Sequence, residues 1–477
     1  MLSFCILAVV TFLVYFNAIQ HPFVHDDVVF ILHNPQISKF NFVEIFFPSG
    51  YPQTIIAGLN SYYRPVLELF TRLEYYFFGF NAPAFHLVNI VVHIANGLLL
   101  FALLIRLQFL RTLAFGISFL FLIHPVQTEA VACVSGFSNL LCSFFLLMSL
   151  HCYIKEKHLG AFAFFILAIL TKEQAIMFLP LVVLVDWYRA KNKYLIWLGF
   201  ATFTCGFLLL RLFATGSHLS EDILRSPGEF YLRVLSIPNT IVMYLRLIIA
   251  PYDLHYYRNT DILANSTGGF VVLGVLASSV TLLIKKFPDI RREVLFGLGW
   301  FLICLFPVLN IVPLINEYSF ILTAEHFLYL AMIGIAITMT IILKRLLSSV
   351  TLAGLTVIVF SCFMVISIYQ NTFWRNEEVL FERTILFEEK FARGHILLAR
   401  AYYANQKVDL SIEQYEFALA IMKDYYEKAS NLTAKNFYKG YIKEIYSDLS
   451  FIFMKNNQFE EALQARSNLE KTINSIK

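Results

Sequence analysis

The sequence predicts an all-α fold: a polytopic membrane helical bundle of about eleven spans, followed by a small exported domain of α-helical repeats. Three observations lead to it. Hydrophobic residues make up 58% of the 477-residue chain and charged residues only 15%, with a mean hydropathy of +0.66, whereas soluble globular chains carry about 25% charge. Apolar segments recur at lengths suited to membrane helices. Composition then changes near residue 371, where charge returns.

The first segment, MLSFCILAVVTFLVYFNAIQ (1–20), lacks a charged leading region and a clear A-x-A cleavage site. It reads as an uncleaved first span and not as a signal peptide. Further apolar segments follow at 84–105, 112–124, 138–154, 159–171, 174–188, 194–213, 269–284, 293–313, 326–343 and 350–369. Several fall short of the about 20 residues of a full span, so their polar ends are expected inside the bundle.

Charge orients these segments. With the N-terminus in the cytoplasm, five short cytoplasmic loops hold thirteen basic residues: Arg106, Arg111, Lys155, Lys157, Arg189, Lys191, Lys193, Lys285, Lys286, Arg291, Arg292, Lys344 and Arg345. The short exported loops 124–137 and 314–325 hold none, in line with the positive-inside rule. Asp26, Asp27, Glu129, Glu173, Glu317 and Glu325 all then fall on the exported side. Two exported loops are long, 21–83 and 214–268. In the second, YLRVLSIPNTIVMYLRLIIA (231–250) carries Arg233 and Arg246 and reads as an interfacial helix.

Residues 1–370 thus form the membrane domain and 371–477 a separate helical domain. The latter has 15 basic and 15 acidic residues in 107, with strong helical periodicity. LARAYYANQKVDLSIEQYEFAL (398–419) places small and aromatic residues at the spacing of a tetratricopeptide helix pair. LSFIFMKNNQFEEAL (449–463) repeats it weakly, with Gln406 and Asn457 where that motif usually has Gly. About three repeats make a stable solenoid, so two are expected to need support from the membrane domain. With eleven spans, this domain is exported.

Several function classes drop out. The net charge is only +4 and no basic block is interleaved with aromatics, so there is no nucleic-acid signature. The seven cysteines lie in apolar segments without paired spacing and read as small membrane hydrophobes. No HExxH, P-loop or GxSxG occurs.

The polar residues that remain form a few constellations. Asp26 and Asp27 in HPFVHDDVVFILHNP (21–35) leave the first span side by side. Adjacent carboxylates repel and shift each other's pKa. A divalent metal at Asp26/Asp27, a sugar hydroxyl or an acceptor proton offsets that cost; a solvated acidic loop is the plain alternative. HPVQTEAVACVSGFSN (124–139) puts Glu129 at a membrane edge with no basic partner in its own loop. In AILTKEQAIMFLP (168–180), Lys172 and Glu173 either pair with each other or leave the lysine to hold a phosphate as a point charge. AEHFLYL (324–330) contributes Glu325, His326 and Tyr329. HLVNIVVHIAN (86–96) aligns His86, Asn89, His93 and Asn96 on one helical face. Such a stripe either knits helices together or binds ligand.

Taken in order, the Asp-Asp pair, N-P, Tyr62-Tyr63-Arg64-Pro65, H-L-x-N-x-x-x-H-x-x-N, H-P-x-x-T-E-A-V, K-E, N-I-V-P-L (310–314) and A-E-x-F-L-Y-L make a specific set. Over residues 1 to 375 and into the repeats, the chain resembles the transmembrane and tetratricopeptide-repeat O-mannosyltransferases and their bacterial relatives. These are integral-membrane glycosyltransferases of the GT-C class. The resemblance implies a polyprenyl-phosphate-linked monosaccharide, mannose or a related hexose, as donor. It implies inverting transfer to a protein Ser/Thr, glycan or lipid hydroxyl on the periplasmic or luminal face, in a bacterial inner membrane or an endoplasmic-reticulum membrane. Asp26 and Asp27, with Glu129, map to the catalytic acids. Lys172, Arg64, Arg258 and His326 are the cations available to the donor phosphate. Glu173, His86, His93, Glu325 and Tyr329 complete the expected substrate contacts. The chain departs from the pattern at Phe137 and Asn139, where relatives often carry Arg and Asp, and at His326, usually Arg.

Two other readings stand beside this one. The first is a scaffold with a vestigial centre whose repeats recruit exported partners, although nothing physical would keep two carboxylates at a bilayer edge in it. The second is a transporter, against which the outward clustering of acids argues, with no polar relay through the inner halves of the spans. The sequons at Asn265 and Asn431 fall on the expected exported side.

Overall fold

The computed structural model describes residues 1–46, 63–215, 227–258, 266–309, 323–429 and 432–474. Tyr62, residues 310–314, Glu317, Asn265 and Asn431 lie outside them. The described elements are helical, with no β-strand among them. The chain divides into two compact units, Met1–Leu254 with Asp261–Arg375, and His255–Thr260 with Asn376–Lys477. The division falls a few residues beyond the composition change because the helix Ser349–Asn371 runs into a 3₁₀ turn, Thr372–Trp374. The short piece of the second long loop that joins the other unit was not expected.

The first unit begins with α1 (Leu2–Tyr15), α2 (Phe42–Phe46) and α3 (Pro65–Phe78). It continues with α4 (Ala82–Arg106), α5 (Arg111–Ile123), α6 (Thr128–Ala132), α7 (Phe137–Ile154) and α8 (His158–Thr171). Next come α9 (Phe178–Arg189), α10 (Tyr194–Thr215), α11 (Pro227–Ile249) and α12 (Ser266–Lys286). It closes with α13 (Arg291–Leu305), α14 (Ala331–Leu346) and α15 (Ser349–Asn371).

Among the described residues, five helices are long and apolar enough to cross a bilayer: Ala82–Arg106, Val134–Ile154, Tyr194–Arg211, Thr267–Lys286 and Ser349–Trp374. A sixth is reached if Arg111–Ile123 and Pro125–Ala132, bent by 51°, count as one. The protein is therefore a membrane protein. The expectation of about eleven spans counted further apolar segments that the structure builds as shorter helices, 12 to 16 residues long, at α8, α9, α13 and α14. They are short because 3₁₀ turns interrupt them at Glu173–Met177, Phe306–Val308 and Glu325–Leu328. The 231–250 segment lies in α11, which is continuous through Pro238 and is not one of the candidate spans.

Aromatic and aliphatic side chains from many helices fill one core, among them Phe101, Phe121, Phe165, Phe178, Trp300 and Met332. Helices α13 and α14 touch through their backbones, since a Cβ on Gly334 would lie 2.3 Å from the Gly297 carbonyl. Small residues allow this approach where lipid offers no hydrophobic drive for helix association.

The second unit contains α16 (Glu377–Phe387), α17 (Ala392–Ala404), α18 (Val408–Lys428), α19 (Leu432–Lys455) and α20 (Phe459–Asn474). Its last four helices form two hairpins. Gln406 and Asn457 close them with φ of 61° and 59°, the left-handed conformation for which Gly is preferred. Ala399, Tyr415, Ala418, Ile445 and Ile452 meet in the core between the helices.

Candidate active site

Several loops at helix ends of the first unit come together. Gly136 makes one of them possible, because the 3₁₀ turn Val134–Gly136 passes so close to α6 that a Cβ would lie 2.4 Å from the Ala130 carbonyl. This turn presents its backbone N–H groups to Asp27. Ser135 N donates to Oδ1 at 2.6 Å and Val134 N to Oδ2 at 3.3 Å, while Val24 N reaches Oδ2 at 3.2 Å. The thiol of Cys133 lies 3.5 Å from Oδ1. Asp27 is only 1% exposed. Burial pushes its carboxyl up to about 6, against the pull of the Ser135 and Val24 N–H groups. Asp26 differs: its side chain is 40% exposed and Oδ1 lies 3.2 Å from Nε2 of His25.

Glu129, on α6, reaches the segment before α14. One carboxylate oxygen accepts the backbone N–H of His326 and the other contacts its Nδ1, both at 2.8 Å. Glu325 and Tyr329 flank this contact and are buried.

A third group gathers where α8 ends. Lys172 is 4% exposed, and its Nζ donates to Oδ1 of Asn139 at 2.6 Å. Burial and then the Arg64 charge lower the Lys172 ammonium to about 8. Glu173 receives both arms of Arg64, at 3.0 and 2.6 Å. Burial alone would raise the Glu173 carboxyl, but the Arg64 charge and hydrogen bonds, with Arg211 and Lys172 behind them, hold it down to about 2. The Lys-Glu alternative is thus answered geometrically: Glu173 pairs with Arg64, and Lys172 turns to an amide. Asn139, Cys142, Gln174, His326 and Tyr329 line one cleft of 20 Å³, room for about one water.

The stripe on α4 knits helices. His93 bonds Tyr329 Oη at 2.7 Å and the Leu122 carbonyl at 3.0 Å. Asn96 donates to the Leu140 carbonyl and to Tyr329, and Asn89 to the carbonyls of residues 131, 133 and 134. His86 is buried, its ring edge-on to His21 at 6.1 Å. Arg258 is brought elsewhere. It falls in the second unit, 3.4 Å from His255, whose ring stacks on Phe387. Among the described residues no three His, Cys, Asp or Glu side chains converge as metal ligands. A divalent cation also fits Asp26/Asp27 poorly, since the Asp27 oxygens already face N–H donors that would repel it.

Among curated proteins, 26% of residues are identical over 350 positions in a protein O-mannosyl-transferase of Caenorhabditis elegans, covering 70% of this chain and 50% of that protein. The protein O-mannosyl-transferase TMTC1 of Mus musculus is 36% identical over 152 residues, 30% of this chain and 16% of its own. The human TMTC2 protein is 32% identical over 146 residues, 30% and 17%. The chain is similar to the TMTC-type protein O-mannosyl-transferases. It spans half or less of the length of these relatives. No family model matches it, and no solved structure is significantly similar.

Against the TMTC-type pattern, two of the positions where the chain departs have definite partners here, Asn139 with Lys172 and His326 with Glu129. No local pattern marks Asn139 as a lysine partner, the 133–135 turn as the seat of Asp27, or Arg211 as a charge acting on Glu173. A basic residue near the C-terminal end of an apolar helix was the one available signal for Arg211.

Proposed function

We propose that the protein transfers a single sugar, mannose or a related hexose, from a polyprenyl-phosphate donor to an acceptor hydroxyl, with inversion, on the exported face of the membrane. The observation that carries this reading is Lys172: a buried ammonium that donates to the neutral amide of Asn139, a residue of the cleft wall. Glu173, the neighbouring carboxylate, is already bound by both arms of Arg64, so the buried ammonium gains from a further anion that completes the site. The leaving phosphate of a lipid-linked sugar is such an anion, and stabilising it is what the protein must supply. Similarity to proteins named O-mannosyl-transferases supports the same class.

The acidic pair divides its work in this reading. Asp27 anchors the loop through the 133–135 turn. Asp26, the more exposed, takes the proton of the acceptor hydroxyl as its oxygen attacks the anomeric carbon from the face opposite the phosphate. The bond to the phosphate oxygen breaks and its electron pair stays on the phosphate beside Lys172. No covalent enzyme intermediate is required. Arg64 holds Glu173, the residue after Lys172, and Glu129 holds His326 in the cleft wall. The shorter helices complete a GT-C-type bundle, and the hairpins of the second unit serve as tetratricopeptide-like repeats that bind a protein acceptor.

The test is release of free polyprenyl phosphate by purified protein offered a panel of polyprenyl-phosphate sugars with acceptor extracts. Asp26→Asn is expected to lower release by more than about tenfold, and Lys172→Ala to raise the donor requirement more than the acceptor requirement. Folded wild-type protein that releases nothing from any donor would favour a repeat scaffold instead.

A further inference from the structure

We propose that the corner where the ends of α12, α13 and α14 meet, remote from the candidate active site, holds the headgroup of an acidic phospholipid. Helix α14 starts at Ala331, shortly after His326, and its 16 residues carry the chain about 24 Å away from that site. The 3₁₀ turn Pro288–Ile290 joins α12 to α13. Six exposed cations gather at this corner, Lys285, Lys286, Arg291, Arg292, Lys344 and Arg345, against the two acids Asp289 and Glu293.

The cations are drawn together more tightly than orientation in a bilayer requires. Arg345 lies 4.2 Å and Lys286 5.4 Å from the centre of the Phe287 ring. The two charges therefore stand within about 10 Å of each other, one Debye length at 0.1 M salt. Asp289 meets Arg345 at 3.1 Å. Among the described residues no carboxylate pairs with the other five cations. Helix electrostatics accounts for part of the cluster, since cations suit the C-terminal ends of α12 and α14. It does not account for Arg291 and Arg292, which open α13 where the positive end of the dipole disfavours them, with Glu293 as the acid of that first turn. A further anion at this corner offsets both the crowding on Phe287 and the cations at the start of α13.

The anion is a lipid phosphate because the surface that leads to it is apolar and bare. Helix α12 is a candidate span, and only 6% of its apolar window is buried. Phe270, Val275 and Leu282 are 51, 61 and 67% exposed along it, and Leu282 lies one turn before Lys286. Acyl chains lying along α12 bring a phosphate level with Lys286. Long basic side chains reach from an apolar wall to such a group, and each adds about 1 kcal/mol of attraction to an acidic headgroup.

The experiment uses the full chain in phosphatidylcholine nanodiscs. A trace of phosphatidylglycerol or phosphatidylcholine, each with the same diazirine in its acyl chain near the glycerol, is irradiated, and labelled peptides are located by mass spectrometry. Phosphatidylglycerol is expected to label residues 282–292 and 341–346 at least about tenfold more than phosphatidylcholine does. Lys286→Gln/Arg345→Gln is expected to lower that label about tenfold, and Lys286→Arg/Arg345→Lys to keep it. Lys155→Gln/Lys157→Gln, which neutralises exposed cations of another loop, is expected to leave it unchanged. Equal labelling by the two lipids would overturn the proposal. So would an equal loss in the Lys155/Lys157 variant, which a general surface potential explains. Displacement of the label by inorganic phosphate at constant ionic strength would assign the corner to a free anion and overturn it too. None of these readouts requires sugar transfer, so failure of that reading leaves this one decided on its own data.

Discussion

Charge is handled differently in the two compact units. In the first, Arg64 and Glu173 meet with side chains 17 and 6% exposed, and Lys172, Asp27 and Glu129 are buried close to other loops. In the second, Arg400 bridges Glu444 and Asp448 with side chains 45, 40 and 29% exposed, and Lys407 meets Glu378 at 45 and 17%. The same chemistry has different consequences. Exposed pairs are screened and contribute little. Buried ones cost desolvation that packed apolar residues would avoid, so a cluster of them at one set of helix ends is better explained by a site than by stability.

The largest expected effect follows from breaking the buried pair. Arg64→Ala leaves Glu173 ionised in its pocket with Lys172 and Arg211 as the remaining nearby cations, and is expected to cost about 3–5 kcal/mol. Thermal unfolding in detergent measures it, and a loss below 1 kcal/mol would mean that the pair is as well solvated as those of the second unit. Because Glu173 is held down to about 2, its stabilisation is present above the ordinary carboxylate range and is lost only as pH falls toward 2. Asp27→Asn comes next. Both Asp27 oxygens accept hydrogen bonds, so an amide NH₂ would face donors on one side, at about 1–3 kcal/mol. Asp26→Asn, at a 40% exposed side chain, is expected to change stability by less than about 0.5 kcal/mol. Equal losses for the two would remove the division of roles between them.

Periodicity and composition reached much of the fold. The expected segment 84–105 lies within α4 and 350–369 within α15. Even the turn residues Gln406 and Asn457 were visible as occupants of glycine positions, and both have positive φ. The site was legible as residues but not as partners. Asp27 and Ser135 are 108 positions apart, Arg64 and Glu173 109, and Glu129 and His326 197. Local hydrophobic pattern says which face of a helix is buried and nothing about which distant loop meets its end. Where an expected span is divided, the cause is a 3₁₀ turn that a run of apolar residues does not show.

Lys172 offers a gentler test of the same contrast. Burial lowers its ammonium to about 8, so it is charged below that pH and neutral above it. The KM for lipid donor is expected to stay flat up to about pH 8 and then rise by about tenfold per pH unit, the behaviour of one required proton. Lys172→Arg, which stays charged, is expected to remove that rise. A donor KM that is flat through pH 9 in the wild type would detach Lys172 from the phosphate.

The smallest effect belongs to the second unit. Arg400→Ala removes contacts to both Glu444 and Asp448, yet all three side chains are substantially in water, and Tyr415 still donates to Asp448 at 2.8 Å. A loss of about 0.2–1 kcal/mol is expected, falling further as salt is raised. Unfolding of the full chain followed at low and high salt measures it. A salt-independent loss of several kcal/mol would place Arg400 among the desolvated charges of the first unit's kind, and would make its helix hairpins, held otherwise by Ala399, Ala418 and Ile445, depend on a buried ion pair for their packing.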